Sequence, residues 1–389
     1  MKVLTFGSLF PDATRPSHGV FVEQRLRHLI AEGGIDSKVV APVPWFPSSH
    51  PRFGDWAAYA AVPAREMRDG IEVLHPRWLS IPKIGMTVAP SLMAMGARST
   101  LARILAEGWD FDVIDAQYFF PDGVAAVSLG RRFKKPVVIT ARGTDLNLIP
   151  EHPVARGMIR AAAMEAKACI TVCAALKDVL IDMGVPDHHV HVLRNGVDPI
   201  RFAPPDDRDA LRREFGWARP TVVCVGHLIP RKGPDLVLRA VAALDDVALC
   251  FVGDGPEEGN LRRLASELGI SDRVSFAGRQ PPESVRRWFG AADLSVLASD
   301  REGWANVLLE SMACGTPVVA TRIWGTPEVV AAPEAGVLVD RTPASLADGM
   351  RRLLASPPSR LATRAYAETF DWGDTARRLK AVLTDAARR

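Results

Sequence analysis

The sequence predicts an α/β protein of two Rossmann-like domains that face each other across a cleft at the carboxyl ends of their strands. Three observations carry this. The 389 residues exceed what one core usually serves, at roughly 150 residues per domain. Short β-branched runs alternate with helix-length amphipathic segments in two successive series, the pattern of βα units around a parallel sheet. Between the series lies Asp198 to Asp207, where Pro199, Pro204 and Pro205 among charged residues read as a linker.

In the first series KVLTF is a buried strand. Val20 to Glu32 is a helix whose Val22, Leu26, Leu29 and Ile30 share one face, and Gly33 and Gly34 stop it. SKVV, DVIDA, PVVIT, CITV and HVHVL follow as strands, and Pro42, Pro44, Pro47 and Pro51 make the stretch from Pro42 to Gly54 a loop. The second series reads TVVCV, VALCFV, RVSF, DLSVL, PVVA and GVLV. The expected domains are residues 1–199 and 200–370, with 371–389 following them.

Composition excludes several classes. Apolar residues at 48% and charged residues at 24% are those of an ordinary folded protein. A net charge of +3 gives no support to a nucleic-acid partner. The five cysteines (Cys169, Cys173, Cys224, Cys250 and Cys314) form no C-x-x-C pair, which points to a reducing compartment rather than a disulfide framework or zinc site. Pro11 and Asp12 interrupt the first apolar run too early for a secretory signal. The apolar stretch Ile84 to Ala97 falls short of the roughly 20 residues that span a bilayer. With Lys83, Arg98 and Arg103 around it, that region packs in the core or makes a peripheral membrane contact, and its mixed pattern favours the core.

Chemistry concentrates at strand ends. In REGWANVLLESMACGTPVVAT, Glu302 lies in a loop before a helix starting near Asn306, and Glu310 lies one turn inside it. Such a loop offers backbone N–H groups and a positive dipole end to an anion, and a neighbouring carboxylate accepts from sugar hydroxyls; an exposed loop Glu and a capping Glu are the plainer alternative. VGHLIPRKGPDL places Arg231 and Lys232 after a buried strand, where two cations can neutralise a diphosphate or simply be solvated. The chain has 39 Arg and 9 Lys, so a Lys retained here stands out as a flexible point charge. FVGDGPEEGNL is not a dinucleotide fingerprint, and no Walker-type loop occurs. In the first half Ser17 to Gly19 precedes a helix, and ITARGTDLN sets Arg142, Thr144 and Asp145 after a strand, with a helix cap as the alternative role of Asp145. The two Asp-x-Asp strings, at Asp110 and at Asp207, open a strand and lie in the linker, so neither suits a metal clamp.

HGVFVEQRLRHL, QYFFPDGVAA, ITARGTDLN, VLRNGVD, VGHLIPRKGPDL, FVGDGPE and EGWANVLLESMACGTPVVATRIWGTPEVV together resemble glycosyltransferase family 4, the retaining nucleotide-sugar enzymes of GT-B fold. The likeness covers nearly the whole chain and is strongest to the bacterial cell-surface polysaccharide branch that includes the teichuronic acid transferases. It implies a cytoplasmic enzyme, at the inner face of the plasma membrane, that moves a sugar from a nucleoside diphosphate to a glycan or polyprenyl-diphosphate-linked acceptor, with no metal and no cofactor. Residues 1–199 would bind acceptor, residues 200–370 donor, and 371–389 would cross back onto the first domain.

By position, the resemblance implies that Glu302 contacts the donor sugar while Gly303, Trp304, Ala305 and Asn306 approach sugar and phosphate through backbone amides. Glu310 would bind the ribose, Lys232 the diphosphate, and Gly19 would approach the donor phosphates. His227 stands where many members carry Arg, and Arg231 is the cation to replace it. Arg142 stands where many members have a reaction-centre His, so that His mechanism does not transfer. Asp145, in the same string, would join the donor-binding residues. A GT-B epimerase or hydrolase, or a non-catalytic nucleotide-sugar-binding subunit, are the alternatives on this fold.

Overall fold

The computed structural model describes residues 1–80 and 85–388. The expected Lys83 and Ile84 of the apolar stretch lie outside them. The chain divides into two compact units, Met1–Arg194 together with the helix Trp372–Arg388, and Asn195–Asp371.

The strands are β1 (Lys2–Phe6), β2 (Asp36–Val40), β3 (Val43–Pro44), β4 (Arg65–Arg68), β5 (Ile71–Leu74), β6 (Arg77–Trp78), β7 (Val113–Ala116), β8 (Val137–Ala141), β9 (Ala168–Thr171) and β10 (Val190–Val192) in unit 1. Unit 2 has β11 (Thr221–Val225), β12 (Ala248–Val252), β13 (Val274–Phe276), β14 (Leu294–Leu297), β15 (Val318–Thr321) and β16 (Gly336–Val339). Unit 1 forms a sheet in the order β10-β9-β8-β7-β1-β2-β5-β4, parallel except for the β4–β5 hairpin, and unit 2 a parallel sheet in the order β13-β12-β11-β14-β15-β16. Both are the doubly wound pattern in which loops at strand carboxyl ends collect ligands.

The predicted first helix runs Val20–Ala31 and buries Val22, Leu26 and Leu29 against the sheet, each contributing about 1.5–3 kcal/mol relative to exposure. Ile30 is only half-buried, and Arg25 shares the buried face, 1% exposed. The terminal helix adds Leu379, Leu383 and Ala386 to the same core, and Trp372 stacks on His28 at 5.5 Å.

Three readings need correction. The expected loop at Pro42 contains β3, which pairs with β6 in a separate two-stranded sheet; Val43 and Trp45 donate to the Pro76 and Trp78 carbonyls, so the missing N–H of Pro44 costs no bond to β6. The β4–β5 hairpin turns at Asp69-Gly70, both at positive φ, and was not among the expected strands. The stretch 198–207 is no free linker: Phe202 is buried, Arg364 donates to the carbonyls of Pro199 and Phe202, and Pro205 packs so close to Gly290 that a Cβ there would meet its ring at 2.6 Å. In the helix Ala89–Ala106, Met93 is in the core, whereas Met95, with Met86 and Val88 just before the helix, is exposed. Among the described residues no helix is long and apolar enough to cross a membrane.

Candidate active site

In unit 2 the site begins where β11 ends. Lys232 closes a short turn, Pro230–Lys232, and Gly233 follows in the left-handed region at φ 62. A Cβ on Gly233 would strike the carbonyl oxygen of Ala298 at 2.5 Å, so only glycine lets this turn press against the end of β14. That approach sets Lys232 Nζ 2.5 Å from Glu302 Oε1. Ser299 Oγ donates to the same oxygen at 2.7 Å, and Arg231 Nη1 lies 3.6 Å from it. Burial works to raise the Glu302 carboxyl, but Lys232, Arg231 and Ser299 overcome it and hold the group below the usual carboxylate range. Arg231 also donates to the Arg301 carbonyl at 2.8 Å and accepts from Asp300 N at 2.9 Å, stapling the two loops together.

Gly303, Trp304 and Ala305 are buried and lead into the helix Asn306–Ala313. Among the described residues their backbone N–H groups find no acceptor, nor does the Trp304 indole N–H. Buried donors are rarely left unpaired, so this row at a helix N-terminus suits the oxygens of an anion. Asn306 Oδ1 accepts from Asn195 Nδ2 at 3.1 Å, which fixes the first residue of that helix. Glu310, in its second turn, is half-buried, and burial, only partly offset by Arg201, pushes its carboxyl up to about 7. His227 is exposed and its Nδ1–H donates to the Asp254 carbonyl at 2.6 Å.

In unit 1 Arg142 follows the last residue of β8, 8% exposed. Its guanidinium donates to the side chain of Gln117 and, at 3.4 Å, to the Gln117 carbonyl, and it lies 5.4 Å from the centre of the Phe21 ring. Burial and the neighbouring Arg25 lower its pKa against the pull of Asp115 and Asp145. Asp115 is pushed up to about 6 by burial, moderated by Arg25 and Arg142. The assignment of Asp145 to donor binding is corrected here. It is 0% exposed, and its carboxylate accepts from the backbone N–H groups of Phe119 at 2.8 Å, Arg142 at 3.0 Å and Gly143 at 2.7 Å. It shapes the loop and has no face to offer a ligand. Gly19 caps the first helix at φ 70, and a Cβ there would meet the Leu9 carbonyl at 2.6 Å, so packing alone accounts for the glycine.

Residues 18–201 match the Glycosyltransferase Family 4 family and residues 207–370 the family Glycosyl transferases group 1. The GDP-mannose-dependent alpha-(1-6)-phosphatidylinositol monomannoside mannosyltransferase of Mycolicibacterium smegmatis is 35% identical over 317 residues, spanning 78% of this chain and 80% of that protein. The chain belongs to the group 1, family 4 glycosyltransferases. A D-inositol 3-phosphate glycosyltransferase of Corynebacterium jeikeium is 34% identical over 75% of this chain and 76% of its own length. The fold of this glycosyltransferase is shared with sucrose-phosphate synthase of Thermosynechococcus elongatus, at a TM-score of 0.80 and 20% identity over 99% and 98% of the two chains. It is also shared with Anabaena Alr3699/HepE in complex with UDP, at 0.75 and 20% over 99% and 100%. The two α/β units are thus those of the GT-B fold.

In the glycosyltransferase, the structure brings Lys232, Arg231 and Glu302 into contact and sets Asn306 and Glu310 on the helix that follows. Two residues of this cluster escaped the sequence reading. Ser299 is fully buried, and its hydroxyl is visible as a Glu302 partner only once β14 is placed. Asn195 lies in the quoted VLRNGVD string, and its contact with Asn306 spans 111 positions.

Proposed function

We propose that this glycosyltransferase moves a sugar with retention of configuration from a nucleoside diphosphate to a hydroxyl of a glycan or lipid-linked acceptor in surface glycoconjugate synthesis, without a metal ion. The observation that carries it is the Lys232–Glu302 contact beside unpaired backbone amides at the start of a helix. Lys232 spends one of its three donors on Glu302, which leaves two for the diphosphate as charge builds on the departing oxygen. Glu302 spends Oε1 on Lys232 and Ser299, and its Oε2, unengaged among the described residues, accepts from sugar hydroxyls. The amides of Gly303 to Ala305 take phosphate or sugar oxygens, and Glu310 the ribose. The phosphatidylinositol and inositol phosphate acceptors in the relatives' names support a phosphorylated or lipid-linked acceptor.

The test is turnover of a panel of nucleotide sugars, with the product anomer read by NMR. Retention, with a rate unchanged by chelator, is the expected result. An inverted product, or activity lost to chelator and restored by magnesium, would overturn the assignment.

Glu310 adds a pH signature. With its carboxyl raised to about 7, the ionised, hydrogen-bond-accepting form is reached only as pH rises through that value. Donor KM should therefore fall several-fold between roughly pH 6 and pH 8. Glu310→Gln should raise KM and flatten that dependence; a wild-type KM constant across the range would remove Glu310 from the ribose.

A further inference from the structure

We infer that unit 1 carries a second ligand site, a cation-rimmed pocket for a phosphate-bearing molecule, at the end of β8 opposite to Arg142. Val137 opens β8 and lines this pocket, whereas Arg142 follows the strand's last residue. The pocket has a volume of about 430 Å3, and Arg131, Lys134, Lys135 and Lys167 line it together with the apolar Pro136 and Val137 and the carboxylate of Glu165. That size suits a small molecule.

Two independent features point to an anion. The first is the lysine distribution. The chain has 9 lysines against 39 arginines, yet three of the nine meet here. Arg131 is ion-paired with Glu165, and Lys135 lies 2.6 Å from Asp110. Lys134 and Lys167 are exposed and have no carboxylate within ion-pair distance among the described residues. Ammonium groups on flexible stems, without a carboxylate partner, are suited to bind phosphate as point charges.

The second feature is backbone strain. Lys134 ends the helix Val124–Phe133 in the left-handed conformation, φ 55 and ψ 44, with its N–H on the Gly130 carbonyl. Glycine or asparagine is the usual occupant of that position, because a Cβ is penalised there. A lysine at this strained position sets its charge at the pocket at some cost in stability.

A soluble phosphate ester and a phospholipid headgroup share this chemistry, so the test has two arms on the full chain. Inorganic pyrophosphate is titrated calorimetrically, and sedimentation is measured with phosphatidylcholine vesicles with and without phosphatidylglycerol. Because Lys232 also attracts pyrophosphate, the titration is read as the difference between wild type and the double variant Lys134→Gln, Lys167→Gln. We expect the double variant to lose one pyrophosphate site, or to weaken it about tenfold or more, or to lose phosphatidylglycerol-dependent sedimentation, while turnover of the nucleotide sugar is unchanged. Loss in the first arm alone assigns a soluble ester, and in the second alone a lipid headgroup. Lys134→Gly should raise the melting temperature while weakening the same binding, which separates a lost ligand site from a damaged fold. Wild type and double variant indistinguishable in both arms would overturn the proposal.

Discussion

Lys232→Ala is expected to lower kcat about a hundredfold or more while moving donor KM far less, the scale of losing one preorganised donor to developing negative charge. The geometry explains why the effect should fall on kcat. Nζ is held 2.5 Å from Glu302 Oε1 by a turn that Gly233 presses onto β14, so the ammonium is fixed before substrate arrives and pays no reorganisation when the diphosphate leaves. The substitution also disturbs Glu302. Burial pushes that carboxyl up, and Lys232 is the largest force holding it down. Without it the carboxyl titrates higher, so the acidic limb of the activity profile should move to higher pH in Lys232→Ala. Lys232→Arg keeps the charge but not its compact shape and should recover activity only in part. A rise in KM alone, with kcat and the acidic limb unchanged, would reduce Lys232 to uniform binding.

The same loops show what a sequence discloses and what it withholds. KVLTF, PVVIT, TVVCV and PVVA read as strands because a strand buried on both faces is an unbroken β-branched run, and each is found within a residue or so of its expected place. The placing of Lys232 after a strand end, and of Glu302 and Glu310 around a helix start, was legible because strand-end loops and helix starts are local signals. Hidden features depend on what folding brings from afar. Ser299 and Asn195 acquire meaning from their partners, and Asp145 is consumed by backbone amides that no spacing reveals. Arg25 lies on the buried face of the first helix, 1% exposed, where its charge meets the field of Asp115 while its guanidinium nitrogens find no hydrogen-bond partner among the described residues, an arrangement no local pattern announces. The β4–β5 hairpin did leave a local trace, the Asp69-Gly70 pair, but its flanking strands are four residues each, and REMR is too polar to read as a strand.

Arg142→Ala is expected to cost both stability and turnover, and the two losses have different origins. Asp145 binds the backbone N–H of Arg142, so this part of the loop's scaffold survives replacement of the side chain. What the substitution removes is a buried guanidinium held by Gln117 and set near Asp115. Among the described residues Asp115 then keeps Arg25 as its nearby cation, and Gln117 loses the Arg142 donor. Leaving buried polar groups without a partner costs about 1–3 kcal/mol, which a melting curve detects. Turnover should fall further than this accounts for if the guanidinium also engages an anionic or hydroxylated part of the substrate. Arg142→Lys separates the two effects. A lysine retains the positive charge beside Asp115 but not the planar fork, so the melting temperature should largely recover while activity stays low. Arg142→His should recover neither, because the shorter imidazole does not reproduce the guanidinium fork, and burial and the neighbouring Arg25 oppose its charged form against the pull of Asp115 and Asp145. Full activity in Arg142→Ala at permissive temperature would confine the residue to holding Gln117 and Asp115 in place.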